Sequence, residues 1–115
     1  MSAETLRAMY VAIDDGRLDA FRALLHPEVV YHRPGYAPLE GIEAVMHFYQ
    51  HVRIIGSGVH ALDRIVSEGS QHATFGRFTG VSRDGRPLDE TFAEGFETRD
   101  GLIVRRQSYF FRPVI

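Results

Sequence analysis

The sequence predicts an α+β fold in which helices pack on one face of a curved antiparallel sheet. Its first half carries apolar residues at helical spacing, whereas its second half divides into four stretches of about ten residues that are typical of strands. Gly69 separates the first two stretches, and Arg-Asp-Gly separates the others at 83–85 and 99–101. Asp-Gly between alternating runs is the strongest short signal for a hairpin, so these stretches predict a meander.

Caps and breakers define the first two helices. Ser2 is a good N-cap for a first helix, which Gly16 ends. The apolar residues of this helix recur at i, i+3, i+4 and i+7, and they are Leu6, Met9, Tyr10 and Ile13. A second helix is predicted over 18–25, because Pro27 cannot extend it and the residue before a proline avoids helical angles.

A short strand and a third helix complete the first half. The strand is Val-Val-Tyr-His, residues 29–32, and a loop with proline and glycine follows it. The third helix starts near Gly41, and its apolar stripe is Ile42, Val45, Phe48, Tyr49 and Val52. There is no repeat, linker or low-complexity segment, so the 115 residues are expected to form one domain, 1–115.

Composition disfavours several classes of function. The chain has 13 basic and 15 acidic residues, and its net charge of −2 offers no positive field for nucleic acid or anionic lipid. Because there is no cysteine, the chain forms no disulfide and has no thiolate nucleophile. We expect neither a membrane span nor a signal peptide, and therefore a cytoplasmic protein. Motifs for a serine nucleophile, a phosphate-binding loop or a dinucleotide do not occur.

Glu94 is the most unusual residue of the predicted sheet. In the segment ETFAEGF, a strand period of two places Phe92, Glu94 and Phe96 on one face. If this face is the core, an unpaired carboxylate there costs several kcal/mol, and burial raises its pKa. Alternatively, Glu94 pairs with an arginine such as Arg77 or Arg106. The pattern leaves a functional site and a structural ion pair both open.

Two further polar residues lie within apolar patterns. His32 ends the short strand and shares a face with Val30, while Val29 and Tyr31 take the other face. A histidine at this position is either a structural hydrogen-bonding residue or a general base. Tyr10 lies in the apolar stripe of the first helix, where a tyrosine is commonly a core residue whose hydroxyl reaches a nearby acceptor.

A metal site on the third helix is not expected. Glu43, His47 and His51 have the spacing of metal ligands on one helical face. They fall nearly opposite the apolar stripe, which predicts a solvated face instead, and we expect neither a metal nor another cofactor. The sequence shows no partner for the remaining histidines, which are His26, His60 and His72.

Nearly the whole chain resembles the SnoaL-like and ketosteroid-isomerase-like group of the nuclear transport factor 2-like superfamily. The resemblance rests on YVAIDDGRLDAFRALLHPEVVYHRPG, PLEGIEAVMHFY and DGRPLDETFAEGFETRDGLIVRRQSYF, with both Asp-Gly turns at the family spacing. It implies a cone of curved antiparallel, partly mixed sheet wrapped on three N-terminal helices. This scaffold hosts isomerases, cyclases, dehydratases, epoxide hydrolases and non-catalytic binders.

The resemblance also implies a site at the mouth of the cone. Tyr10 takes the place of the tyrosine that donates a hydrogen bond to the substrate oxyanion, and His32 that of the aspartate base of ketosteroid isomerases. Glu94 takes the place of the protonated aspartate that completes the oxyanion hole. A histidine near an acidic residue and a tyrosine is similar to the dehydratases of the superfamily, such as scytalone dehydratase.

Three hypotheses follow from the sequence. The first is a cofactor-free isomerase, cyclase or dehydratase for a small hydrophobic carbonyl compound of polyketide or steroid type. In this enzyme His32 would be the general base and Tyr10 would be the hydrogen-bond donor. Glu94 would be either the acid or the carboxylate that orients the base. The predicted substrate-binding residues are Phe48, Phe75, Arg77, Phe92, Phe96, Arg106 and Phe110. The second hypothesis is a silent ligand-binding module, and the third is a dimerising accessory domain without a ligand.

Two expectations concern the charge of Glu94 and the association of the chain. If desolvation dominates, Glu94 is neutral near neutral pH and donates to an oxyanion; if a protonated His32 lies nearby, Glu94 is ionised and orients the imidazole. We favour the second state. The resemblance implies a homodimer through the outer face of the meander. Its contact residues would be Ile103, Arg105, Gln107, Tyr109 and Phe111.

Overall fold

A computed structural model describes residues 2–112 of the chain as helices packed on a six-stranded sheet. The helices are α1 (Ala3–Asp14), α2 (Leu18–Arg22) and α3 (Ile42–His47), and α3 continues into a π-helical turn, Phe48–Val52. The strands are β1 (Leu25–His32), β2 (Leu39–Glu40), β3 (Ile55–Glu68), β4 (Gln71–Ser82), β5 (Pro87–Arg99) and β6 (Leu102–Phe110). The predicted α+β fold is confirmed. None of the helices within 2–112 has the length and apolarity needed to cross a membrane.

The sheet is mixed, and its long strands form the predicted meander. The strand order is β2-β1-β6-β5-β4-β3, with β1 parallel to β6 and the other neighbours antiparallel. The three predicted hairpin turns, at Gly69 and at the two Arg-Asp-Gly segments, join β3 to β6 in order. In the last turn Asp100 and Gly101 both have positive φ angles, 55° and 76°, as a two-residue type I′ turn requires.

Helix α1 begins and packs as the sequence predicts. The Ser2 hydroxyl accepts a hydrogen bond from the Thr5 amide at 3.2 Å, which is the expected N-cap contact. The predicted apolar stripe is buried, and within it Tyr10 is only 2% exposed. The helix therefore carries a phenol into the core, where its hydroxyl can bond to the sheet.

Helix α2 is shorter than predicted. It ends at Arg22, and the chain already joins β1 at Leu25 instead of at 29. The β1–β6 pairing shifts register between Leu25 and Val30. Pro27 has no amide hydrogen to donate, and the irregular pairing allows the strand to contain it. The proline therefore ends the helix, but the strand still begins before it.

The third helix starts at the predicted place but ends differently. Val45, Phe48 and Tyr49 are buried as expected, whereas Val52 is 42% exposed. The last turn is π-helical, and the Arg53 amide donates to the Phe48 carbonyl at 2.8 Å, an i→i+5 bond. Because a π-helical turn contains more residues than an α-helical turn, it rotates Val52 off the apolar stripe.

The sheet has an inner face that the helices cover and an outer face that they leave open. On β4 and β5 the two faces alternate: Thr74 pairs with Glu94 on the inner face, and Phe75 with Ala93 on the outer face. Thr74 is fully buried, and Phe75 is half-buried. The strands approach closely at Gly76, where a Cβ would lie 2.3 Å from a carbonyl oxygen of β3. The core lies between the inner face and the helices.

One predicted contact residue of β6 lies on the wrong face. The β5–β6 register shifts between Glu97 and Thr98, and this bulge changes the alternation at the start of β6. As a result Ile103 faces the core and is 0% exposed. The other four predicted contact residues are Arg105, Gln107, Tyr109 and Phe111. The two aromatic residues among them are 54% and 84% exposed.

Candidate active site

Glu94 lies at the centre of the inner face, on β5, and is 4% exposed. Its Oε1 accepts hydrogen bonds from Tyr10 Oη at 2.6 Å and from Arg106 Nη2 at 2.9 Å. Its Oε2 accepts from Arg106 Nε at 2.9 Å and from the Ser108 hydroxyl. Four donor atoms therefore hold one carboxylate, and two of them form the bidentate fork of an arginine.

Arg106 is the counter-ion of Glu94. It lies on β6, directly beside β5, and is 3% exposed. Its Nη1 donates to Tyr49 Oη at 2.8 Å, and its guanidinium carbon lies 4.5 Å from the centre of the Tyr31 ring. The prediction of an arginine partner is confirmed for Arg106. Arg77, the other candidate partner and also a predicted substrate-binding residue, is exposed on the outer face of β4 and pairs with an aspartate of β5.

The hydrogen-bond network continues on both sides of the carboxylate. On one side, Ser108 Oγ lies 2.7 Å from Tyr31 Oη, which accepts a hydrogen bond from Arg33 Nη1 at 2.7 Å. On the other side, Tyr10 Oη lies 2.7 Å from Thr74 Oγ1. All of these links are buried, so the network fixes side chains from α1, β4, β5 and β6 relative to one another.

Burial and charge act in opposite directions on Glu94. Burial raises the pKa of its carboxyl group, but the Arg106 guanidinium and the donated hydrogen bonds lower it more, so the pKa of Glu94 lies below its ordinary value. Burial and the neighbouring Glu94 charge raise the pKa of Tyr10 well above its ordinary range. At neutral pH Glu94 is therefore ionised and Tyr10 donates to it. Arg106 takes the place that was predicted for His32.

His32 does not lie beside Glu94. The strand period puts Val29, Tyr31 and Arg33 on the inner face, and each is at most 5% exposed. His32 is half-buried on the opposite side, where it lines an open recess of about 400 Å³. The predicted pairing of His32 with Glu94 is wrong, because the chain reaches the interior with Arg33 instead.

A different histidine, His60 on β3, faces the interior. Its Nδ1 lies 2.5 Å from Oδ1 of Asp14, the last residue of α1. Asp14 Oδ2 also accepts a hydrogen bond from the backbone amide of His60 at 2.8 Å. The two side chains are 10% and 11% exposed. Three aromatic rings pack on the imidazole at centroid distances of 4.8–5.4 Å, and they belong to Phe78, Tyr10 and Phe92.

The Asp14–His60 pair has the arrangement of an oriented general base. A carboxylate can only accept, so in the neutral form of the ring the proton is on Nδ1 and the lone pair is on Nε2. Within residues 2–112, Nε2 of His60 makes no hydrogen bond. Because a backbone amide holds the same carboxylate, both the tautomer and the orientation of the imidazole are set.

Two signals in the sequence point to Asp14. Tyr10 and Asp14 are four residues apart, so they lie on the same face of α1. Asp14 also puts a negative charge into the last helical turn, where the macrodipole disfavours it and where α1 has no basic residue. A carboxylate kept in such a position indicates a specific partner. The identity of that partner, His60, depends on how β3 passes α1 and has no signal in the sequence.

A narrow inner cavity lies among these groups. Its volume is about 10 Å³, room for about one water molecule. The ionisable residues in its wall are Arg33, Arg53, His60, Glu94 and Arg106. A cleft of about 300 Å³ at the end of α1 shares Arg53, Ile55 and Phe78 with the cavity, and Asp14 also lines the cleft. The Asp14–His60 pair therefore lies at the border between the two spaces.

The five phenylalanines that were predicted to line a pocket lie in different parts of the structure. Phe92 and Phe110 are in the wall of the inner cavity. Phe48 and Phe96 are buried beside it in the core, at 1% and 3% exposure. Phe75 lies on the outer face, where an arginine of β3 stacks on its ring at 4.3 Å. The prediction is wrong for Phe75, because the strand period gives the inner positions to its two neighbours.

The polar face of the third helix is solvated, as the helical phase predicts. Glu43, His47 and His51 are all exposed. The Glu43 carboxylate pairs with Arg22 at 2.5 Å, and the rings of His47 and His51 lie 5.1 Å apart. Within 2–112, no group of three or more histidine, aspartate or glutamate residues is placed to hold a metal ion.

Solved structures with the same architecture define the class of this fold. An NTF2-like protein of unknown function from Burkholderia pseudomallei superimposes with a TM-score of 0.87 at 23% identity, over 96% of this chain and 92% of that one. A candidate SnoaL-like polyketide cyclase from Jannaschia sp. has a TM-score of 0.81 at 19% identity, over 94% and 83%. TerC, co-crystallised with polyporic acid, has a TM-score of 0.83 at 23% identity, over 93% and 88%. The fold is nuclear transport factor 2-like.

The sequence assigns the family within this class. The model of the SnoaL-like domain matches residues 6–106, which is most of the chain. The protein therefore belongs to the SnoaL-like domain family, as the resemblance implied. No curated protein matches the chain. At identities of 19–23%, the solved structures support the fold alone.

Proposed function

We propose that this protein is a cofactor-free acid/base enzyme, an isomerase, cyclase or dehydratase that acts on a small hydrophobic carbonyl compound. The observation that carries the proposal is the Asp14–His60 pair at the wall of the inner cavity. An imidazole held in one tautomer can take a proton from the carbon next to a carbonyl group. Membership of the SnoaL-like family supports this reaction type, since a candidate polyketide cyclase has the same fold.

His60 is the proposed general base, and Asp14 orients it and stabilises the imidazolium that proton transfer forms. His32 lines a recess outside the cavity, so we transfer the role predicted for it to His60. Tyr10 donates its hydrogen to Glu94, whose oxygens accept four hydrogen bonds in total. We therefore propose that Tyr10 and Glu94 hold the neighbouring side chains of the site in place and do not contact an oxyanion directly.

The cleft beside the cavity is the proposed place for the substrate. Its volume of about 300 Å³ is at the small end of the range for ligand pockets and suits a compound of one or two rings. Ile13, Leu18 and Phe78 give it apolar walls. The reacting carbon would lie at the inner end of the cleft beside Ile55, which also lines the inner cavity together with His60. TerC, with the same fold, was co-crystallised with polyporic acid, which supports a small-molecule ligand.

A ligand screen followed by an exchange assay tests the proposal. Thermal shifts with small cyclic ketones, polyketide-like phenols and steroids identify ligands, because binding to the native state raises its stability by RT ln(1 + [L]/Kd). Each ligand is then incubated in heavy water with wild type and with His60→Asn, and mass spectrometry measures deuterium next to the carbonyl group. Incorporation or product formation by wild type alone supports the proposal. Ligands that bind but neither exchange nor react contradict it.

A second candidate is a ligand-binding or dimerising accessory domain without catalysis. The narrow inner cavity favours it, since about 10 Å³ admits no substrate unless side chains move. The four hydrogen bonds to Glu94 also fit a purely structural ion pair. Under this alternative, His60→Asn leaves the affinity for every ligand unchanged, and no ligand is turned over.

We also propose a homodimer formed through the outer face of the sheet. Val59, Val66, Tyr109 and Phe111 are 60%, 53%, 54% and 84% exposed there. An apolar sheet face of this kind is commonly covered by another chain, and the resemblance to the family supports the same arrangement.

A small ligand and a second copy are the proposed partners. A net charge of −2 does not favour binding to nucleic acid or to an anionic membrane surface, and we predict that the protein is located in the cytoplasm.

Tyr109→Glu should convert the dimer into monomers. The substitution puts a charge into an interface core, where an unpaired charge is costly to desolvate. Sedimentation velocity at micromolar concentration should show wild type at twice the chain mass of 13.0 kDa and the variant at 13.0 kDa. Val11→Glu, on an exposed position of α1, is the control and should remain dimeric. Wild type that sediments as a 13.0 kDa species contradicts the proposal.

A further inference from the structure

Arg53 is a buried cation that no anion of the described residues compensates. It is 9% exposed, and its Nε is buried without a hydrogen-bond partner within 2–112. None of the ion pairs in this part of the chain includes it, and its guanidinium carbon instead lies 4.9 Å from the centre of the Tyr49 ring. A charge taken out of water without a counter-ion destabilises a fold, so its retention requires an explanation.

The π-helical turn of residues 48–52 is what places Arg53 inside. Its i→i+5 hydrogen bond runs from the Arg53 amide to the Phe48 carbonyl. At the end of this turn Val52 is 42% exposed, while Arg53 is 9% exposed. Exposing a valine and burying the adjacent arginine reverses the ordinary preference of both side chains. Single π-helical turns are frequent at functional sites, and this one directs a cation into the cavity wall.

Glu94 supplies a carboxylate to the wall of the inner cavity, which Arg53 also lines. That carboxylate already accepts the fork of Arg106 and two hydroxyl groups. The carboxylate at the adjoining end of the cleft, Asp14, is held by a histidine. Within 2–112, neither of these carboxylates pairs with Arg53, so a ligand can supply its anion.

We propose that Arg53 binds an anionic oxygen of the ligand, a carboxylate or an ionised enol or phenol, at the junction of cleft and cavity. The inference rests on the proposed function, because it takes the cleft as the ligand site. Arg53 lines both spaces, so an anion bound to it leaves the apolar body of the ligand against Ile13 and Phe78. The substrate class is then a conjugated or aromatic acid, with its reacting carbon near His60.

Binding of a matched pair of probes tests this inference. Titration calorimetry at low ionic strength compares 2-naphthoate, an anion, with 2-naphthamide, its neutral analogue of the same shape. Wild type should bind the carboxylate about tenfold or more tightly than the amide, as a charge-assisted hydrogen bond predicts. Arg53→Met should bind both probes equally. Arg53→Gln provides a second neutral side chain if the methionine variant does not fold. Arg86→Met is the charge-matched control, since Arg86 is exposed and pairs with Asp84.

The outcomes separate this inference from the proposed function. A carboxylate preference in wild type and Arg86→Met that disappears in both Arg53 variants supports it. Equal affinities in wild type, a preference that survives in the Arg53 variants, or no binding of either probe overturns it. Turnover plays no part in this readout. A preference that persists while no compound is turned over contradicts only the proposed enzyme, whereas turnover of a neutral compound with equal probe affinities contradicts only the anion site.

Discussion

Replacing Glu94 by glutamine should lower the free energy of unfolding by about 3–5 kcal/mol, the cost of breaking a buried ion pair by removing one partner. Glu94 and Arg106 are 4% and 3% exposed, so water cannot compensate the guanidinium that the change leaves behind. Glutamine also offers one acceptor oxygen where the carboxylate accepts four hydrogen bonds. Urea unfolding followed by circular dichroism measures the difference.

Two variants show whether the effect belongs to the buried pair. Glu97→Gln removes the same charge from the same strand, where Glu97 accepts one exposed hydrogen bond from Gln71, and should change stability by less than about 0.5 kcal/mol. Combining Glu94→Gln with Arg106→Met should cost less than Glu94→Gln alone, because no charge stays buried without its partner. Equal effects of Glu94→Gln and Glu97→Gln would contradict the structure.

The same pair predicts how stability depends on pH. Despite the opposing effect of burial, Arg106 and the donated hydrogen bonds hold the pKa of Glu94 below its ordinary value of 4.5. A carboxyl group with a lowered pKa in the folded state contributes stability that is fully present above pH 4.5 and is lost as the pH falls through the folded-state value. Wild type should therefore lose more stability than Glu94→Gln as the pH falls below 4.5 and through the folded-state value. Parallel losses in the two proteins would contradict the assignment.

Replacing His60 by asparagine should lower kcat by about 10²–10⁴, the contribution that general base catalysis makes in enzymes. Asparagine can still hydrogen-bond to Asp14, but it cannot take a proton. Steady-state kinetics with a compound from the screen measure the loss, and a thermal shift with the same compound checks that it still binds. Unchanged kcat in a variant that folds and binds would remove His60 from the mechanism.

Asp14→Asn tests the orienting role separately. The amide no longer favours a protonated Nδ1, so kcat should fall while the affinity for the same compound, measured by thermal shift, stays unchanged. A merely structural Asp14 would lower stability without lowering the kcat of the folded variant. His72→Asn is a control, since His72 is buried at the other end of the sheet beside Ser67 and should leave kcat unchanged.

Most of the fold could be predicted because its signals are local. The cap at Ser2, the stripe of α1 and the two Arg-Asp-Gly turns each depend on a few neighbouring residues, and the structure confirms them. The errors arose where tertiary structure overrides a local period. Pro27 lies inside β1 because the register shifts there, and the π-helical turn moves Val52 to the surface.

The candidate site was only partly predictable for the same reason. The strand period correctly predicts that Glu94 lies on the inner face, and Arg106, one of the two arginines that the sequence offers as partners, pairs with it. The choice of His32 followed the family pattern, whereas the phase of β1 turns Arg33 inward. His60 gave no signal, because its partner Asp14 is 46 residues away and the contact exists only once β3 packs on α1.

One assay that compares two histidines tests directly whether His60 is the general base. With a carbonyl compound that wild type converts, kcat is measured for His60→Asn and for His32→Asn under identical conditions. We expect a loss of about 10²–10⁴ for His60→Asn and less than about threefold for His32→Asn, because His60 alone of the two lines the inner cavity. A large loss in His32→Asn with near-normal turnover in His60→Asn would contradict this assignment.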